Sequence, residues 1–218
     1  VSALIVPVNF IILCASSAPV DPSETDNVVG VDVNKTLISN IKSGTAPNDA
    51  GLSELVQNGL KKGNLVLSEL PVNADVFIIA VPTPLHASKA SETVGECPKA
   101  DLTALVAAAE SVVPYIRPGN MVILESTVPP KTTVDVLLPI LRHSGLGDNL
   151  DLAFCAERVL PGQILKELVN NDRIIGGLNS SSAARAKKLY SSFSNGRILT
   201  TDATTAELVK LMENTSRD

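Results

Sequence analysis

At 218 residues the chain suffices for one large domain, or for one domain and part of a second. Its 44% hydrophobic and 19% charged residues are those of an ordinary globular protein, and only 3% aromatics with no Trp leave the core to Val, Leu, Ile and Ala. A net charge of −5 argues against a general affinity for nucleic acid, so any bound phosphate must be held by local groups.

The chain opens on VSALIVPVNFIILCA followed by SSAP. An apolar run before small residues is compatible with a secretory leader. There is no basic residue ahead of it, however, and Pro7 interrupts it. The run is too short and broken to cross a membrane, so a buried strand over residues 3–13 is the expectation. Further short apolar strands are expected at 28–33, 76–81, 121–125, 152–155, 173–175 and 196–200. Amphipathic helices are expected at 34–43, after an Asp/Asn cap, and at 52–59 and 102–115. Two more are expected at 132–144 and at 180–192, the last opening on serines. From Thr204 a final helix runs to Asp218 without a stop signal. Residues 86–100, rich in Ser, Glu and Pro, read as an excursion between strand and helix.

Strands alternating with helices predict an α/β fold with a doubly wound parallel sheet. In such sheets ligands bind outside the carboxyl ends of the strands. The distinctive residues fall just there: Asp32 after VVGV, Thr83 in VPTP after VFIIA, Ser126-Thr127 after MVILE, and Glu157-Arg158 after DLAFCA.

Each has two readings at this level. Asp32 is either an acid that accepts ribose hydroxyls of a dinucleotide or the N-cap of the next helix, evenly weighed. The glycine fingerprint that should accompany the first reading is absent, since no glycine precedes Gly30. VPTP and STVPP each pair a hydroxyl with rigid prolines, and finding both in one sheet favours a ligand over ordinary turns. Glu157 and Arg158 suit a general base and an anion contact, or a surface ion pair. NDRIIGG at 171–177 is either a binding loop or, the favoured reading, a strand-ending turn at Gly176-Gly177. Lys210, Asn214 and Arg217 share a helix face, either as a site or as a solvated stripe.

Three widely spaced cysteines, Cys14, Cys97 and Cys155, form no CxxC or Cys/His cluster. No metal site and no disulfide framework are expected, and a reducing cytoplasmic setting is. His86 and His143 fall in loops and read as solvated.

Taken in order, VVGVDVN, ADVFIIAVPTP, ILESTVPP, AERVLPG, NDRIIGG and AELVKLMENTSRD resemble the UDP-glucose/GDP-mannose dehydrogenase family, and within it the branch acting on UDP-N-acetylmannosamine. UDP-glucose is the alternative sugar nucleotide. The resemblance runs over residues 28–218. It implies a Rossmann-like NAD-binding domain over 1–200, atypical at 1–27, and the start of a central dimerisation helix at 201–218. It implies NAD as cofactor and a UDP-sugar whose C6 alcohol is oxidised to a carboxylate, with a homodimer as the family's assembly.

Carried over by position, Asp32 and the nearby Lys35 resemble the adenosine-ribose contacts, and Thr83 and Thr127 the NAD-contacting threonines, with Thr127 also among the catalytic residues. Glu157 resembles the acid of the hydrolytic step, Lys210 the catalytic lysine and Asn214 its partner. Arg158, Val159 and Arg217 resemble substrate contacts. The thiol that captures the aldehyde in the family lies in a later loop, a place that none of the three cysteines takes. Where the family has glycine after STVPP this chain has Lys131, and where it has proline before Glu157 this chain has Ala156. The expectation is therefore that these residues do not suffice for the full two-step oxidation, with a non-catalytic binding module as the alternative reading.

Overall fold

The computed structural model describes residues 12–16, 27–44, 51–85, 99–146, 149–160 and 162–217, with 12–16 and 217 as backbone only. The strands are β1 (Ile12–Ser16), β2 (Asn27–Val31), β3 (Leu65–Ser68), β4 (Val76–Ile79), β5 (Met121–Leu124), β6 (Asp151–Phe154), β7 (Arg173–Gly177) and β8 (Ile198–Asp202). The helices are α1 (Lys35–Lys42), α2 (Leu52–Lys62), α3 (Thr103–Val112), α4 (Leu138–Leu141), α5 (Ile164–Asn170), α6 (Ser180–Tyr190) and α7 (Ala203–Arg217). Wider π-type turns over Thr132–Leu137 lead into α4.

All eight strands form one sheet in the order β3-β2-β1-β4-β5-β6-β7-β8. Successive side chains on a strand point to opposite faces. Phe77, Ile79, Val122, Leu124, Leu152 and Phe154 accordingly pack on one face, under α3, α4 and α7. Ile78, Met121, Ile123, Ala153 and Cys155 pack on the other, under α1, α2 and α6. Burial on both faces is why β4 and β5 read as continuous apolar runs rather than alternating ones. The doubly wound α/β architecture is the one expected.

Strand direction departs from an all-parallel sheet in two places. β2, β3, β4, β5 and β6 share one direction. β1 lies antiparallel to both neighbours, with Ile12 opposite Val31 and Ile79. β7 is antiparallel to β6, and β8 follows β7. A short apolar run carries no directional pattern of its own, so its connection decides. Residues 17–26 are fewer than the dozen or so that a parallel crossover takes. An antiparallel pair needs no such length.

Other boundaries moved for local reasons. Of the strand expected at 3–13, residues 3–11 lie outside the described part, and the described strand is Ile12–Ser16. Helix α2 passes through Gly59 and stops at Gly63, which takes φ 76° as a left-handed cap. At α6 the cap is not a serine but Asn179, whose side chain accepts from Ser182 N at 2.9 Å. β3 and α5 were not anticipated; β3 is a short edge strand with Val66 exposed.

Candidate functional site

The shared direction of β2, β4, β5 and β6 brings their carboxyl ends to one edge of the sheet. Asp32, Thr83, Ser126-Thr127 and Glu157-Arg158 all follow those ends, as the sequence suggested. Asp32 is 4% exposed, and its Oδ1 accepts from Asn34 N at 2.7 Å. Burial pushes its carboxyl above the usual range, with the Asn34 N–H pulling the other way. The cap of α1 is Asn34, whose Oδ1 accepts from Leu37 N at 3.1 Å. The capping alternative for Asp32 is thereby removed. Lys35 pairs with Glu69 at 2.9 Å, an exposed pair that adds little to stability.

The two proline-bearing loops form one unit. Ser126 Oγ accepts from Val81 N at 2.9 Å and donates to Val81 O at 2.7 Å. Thr83 Oγ1 donates to Thr127 O at 2.5 Å. Thr83 and Thr127, separate in sequence, are thus neighbours. Ser126 ties their strands together, a role that sequence reading missed because its partner lies 45 residues away.

A second cluster is assembled by α7. That helix starts after β8 and returns across the sheet, so its second half meets the loop after β6. Lys210, 9% exposed, donates from Nζ to the main-chain oxygen of Glu157 at 2.7 Å. The Glu157 carboxylate accepts from Val159 N. Burial raises the Glu157 carboxyl, opposed by the Val159 N–H and by the charges of Lys210 and Arg173. Arg158 donates from Nη1 to Asp172 O at 2.6 Å and forms an ion pair with Glu213. Asn171 Nδ2 holds Arg158 O at 2.8 Å. Asn214 sits one turn beyond Lys210 and is half-buried. Arg217 closes α7, and its side chain lies outside the described residues. Glu213 and Asn171 lie inside the motifs AELVKLMENTSRD and NDRIIGG, but their pairing with Arg158 was not legible, because the partners are 55 and 13 positions away.

Behind this cluster lies a buried polar set. Tyr190 Oη donates to Glu125 Oε1 at 2.5 Å. The Arg173 guanidinium stacks over the Tyr190 and Phe193 rings at 4.9 and 5.4 Å. Burial pushes Glu125 up to about 7, against the pull of Tyr190 and Arg173. The Cys155 thiol is pushed up to about 12, chiefly by burial and then by Glu125.

Whether these residues fit NAD differs along the cofactor. The acid after β2 and the threonine loops after β4 and β5 suit its two ends. The pyrophosphate needs a glycine-rich turn leaving the central strand at the same edge. Here β1 enters the sheet at that edge and leaves at the other, so no such turn is found there among the described residues.

The comparisons with known proteins agree with this architecture. The family model for the UDP-glucose/GDP-mannose dehydrogenase family, NAD binding domain, matches residues 16–194, and β1 lies almost wholly before it. A UDP-N-acetyl-D-mannosamine dehydrogenase of Methanococcus aeolicus is 46% identical over 192 residues, 88% of this chain and 42% of the relative. The enzyme of that description from Methanocaldococcus jannaschii is 47% identical over 193 residues, 88% of this chain and 43% of its own. The structure of the UDP-N-acetyl-mannosamine dehydrogenase from Staphylococcus aureus superposes with TM-score 0.78 at 40% identity, covering 87% of this chain and 45% of that one. The chain therefore belongs to the UDP-glucose/GDP-mannose dehydrogenase family, as an NAD-binding domain. It spans less than half the length of these relatives.

Proposed function

We propose that the chain is the NAD-binding part of a nucleotide-sugar 6-dehydrogenase that oxidises UDP-N-acetylmannosamine to UDP-N-acetylmannosaminuronate. The observation that carries this reading is the arrival of Lys210 from α7 beside the Glu157–Arg158 loop. That loop shares a sheet edge with Asp32, Thr83 and Thr127.

Each residue then has a task. Asp32 and Lys35 hold the adenosine ribose, and Thr83 and Thr127 the nicotinamide end. NAD, when bound, accepts hydride from the sugar's C6. Arg158, Val159 and Arg217 hold the sugar nucleotide; Arg158 exchanges Glu213 for an anionic group of the substrate. Lys210, largely desolvated, stabilises the alkoxide and later the oxyanion. Asn214 hydrogen bonds the same oxygen or a water. Glu157, its carboxyl raised by burial, takes a proton from water in the hydrolytic step.

The free thiol of Cys155 suits a cytoplasmic enzyme supplying uronate for polysaccharide biosynthesis. Exposed Leu208 and Met212 on α7 support a homodimer through that helix.

Calorimetric titration of the purified chain with NAD tests the reading. A micromolar dissociation constant is expected, and a titration without binding heat overturns it. The latter outcome favours a second reading, a non-catalytic member of the fold, which the reversed β1 specifically supports.

A further inference from the structure

The geometry points to Glu207 as the positioning residue that fixes the cofactor loops relative to Lys210. Its side chain is fully buried, one helical turn before Lys210 on α7. Its carboxylate accepts from Lys131 N at 2.5 Å, Thr133 N at 2.7 Å and Thr133 Oγ1 at 2.5 Å. The two N–H groups open the helical segment that starts at Thr132, where main-chain donors lack partners within the helix. Glu207 thus caps that segment from another helix, as an anion at its positive end.

The capped segment directly continues the loop that carries Thr127. That loop is tied through Ser126 to Val81, and through Thr127 O to Thr83. A path of hydrogen bonds therefore runs from α7 through Glu207 to the loops after β5 and β4. Three donors converge on two carboxylate oxygens, and an acceptor-only group is what such a site requires. A glutamine there turns an NH2 group against an N–H. Glu207 also holds Lys131 at φ 74°, the one left-handed non-glycine among the described residues.

In this assignment Glu207 touches neither NAD nor sugar; it sets where Thr127 stands relative to Lys210. The roles of those two residues rest on the function proposed above, whereas the coupling itself does not.

The test uses the whole 218-residue chain and its E207Q variant. Amide exchange is measured well below the melting transition, beside NAD titration. In E207Q, exchange at Lys131, Thr133 and Val81 is expected to quicken by about tenfold, with Ile123 and Leu124 in β5 unchanged, and NAD affinity to fall by about tenfold. Adding K131G relieves the left-handed backbone and raises the melting temperature. A positioning role leaves Val81 exchange fast and NAD affinity low in that double variant. Recovery of both overturns the proposal, as does unchanged Val81 exchange in E207Q. Should E207Q fail to fold, T133V deletes one of the three bonds from the loop side, and unchanged Val81 exchange there overturns it equally. If the parent chain binds no NAD, the cofactor reading fails, and Val81 exchange still decides the coupling.

Discussion

Lys131 carries a Cβ in a backbone region where the following carbonyl crowds it, at φ 74°. Glycine removes that clash at the expense of a more flexible unfolded chain. K131G is expected to raise the unfolding free energy by about 0.5–1 kcal/mol; a loss in urea titration would sink the strain argument. Glu125 gives a pH signature. Burial raises its pKa from 4.5 to about 7, so the folded state binds the proton more tightly than the unfolded one. Its contribution is fully present below about 4.5 and is lost as pH rises through about 7. Gln cannot ionise and still accepts from Tyr190. From about pH 5 to about pH 8, stability should shift in favour of E125Q by a few kcal/mol relative to the parent. A difference independent of pH in thermal melts rules this out. Both residues were visible in the sequence, Lys131 as a replaced glycine and Glu125 as part of ILESTVPP. Their burial and backbone state were not, because neither is a property of neighbouring residues.

At the scale of elements, the loops after β4 and β5 depend on one hydroxyl. Ser126→Ala leaves both the N–H and the carbonyl of Val81, a buried residue, without that partner. The expected loss is about 1–3 kcal/mol, read as a lower urea midpoint at unchanged slope. A midpoint equal to the parent's contradicts the tie. The motifs that flagged these loops were legible from proline and hydroxyl chemistry alone. Most strands and helices were legible too, from apolar runs and caps. β3 escaped because an edge strand buries only one side of a short segment, and α5 because it packs few of its residues. The caps of α1 and α6 went to Asn34 and Asn179, each the last residue before its helix, whose side chain accepts from an open N–H three residues further on.

On the scale of the whole molecule, two facts bear on turnover. The reversed β1 removes the turn that would cradle a pyrophosphate, among the described residues. Cys155 is fully buried with its thiol pushed up to about 12, so it supplies no thiolate for capture of an aldehyde. The missing cradle bears on the first hydride transfer and the missing thiolate only on the second, so incubation of the purified chain with UDP-N-acetylmannosamine and NAD is expected to give no steady NADH formation by absorbance. Steady NADH formation would show that these constraints do not govern the chemistry.

What the sequence determined by itself was the α/β class, most elements, and the ordered motifs at strand ends. Each of these is encoded within a few residues, by alternation, capping or turn chemistry. Tertiary structure alone decided the direction of β1, since its apolar pattern is the same read either way. It also decided the partners of the site residues. Arg158 meets Glu213 across 55 positions, and Lys131 meets Glu207 across 76. Such pairs exist only once the sheet has set the angle at which α7 crosses it.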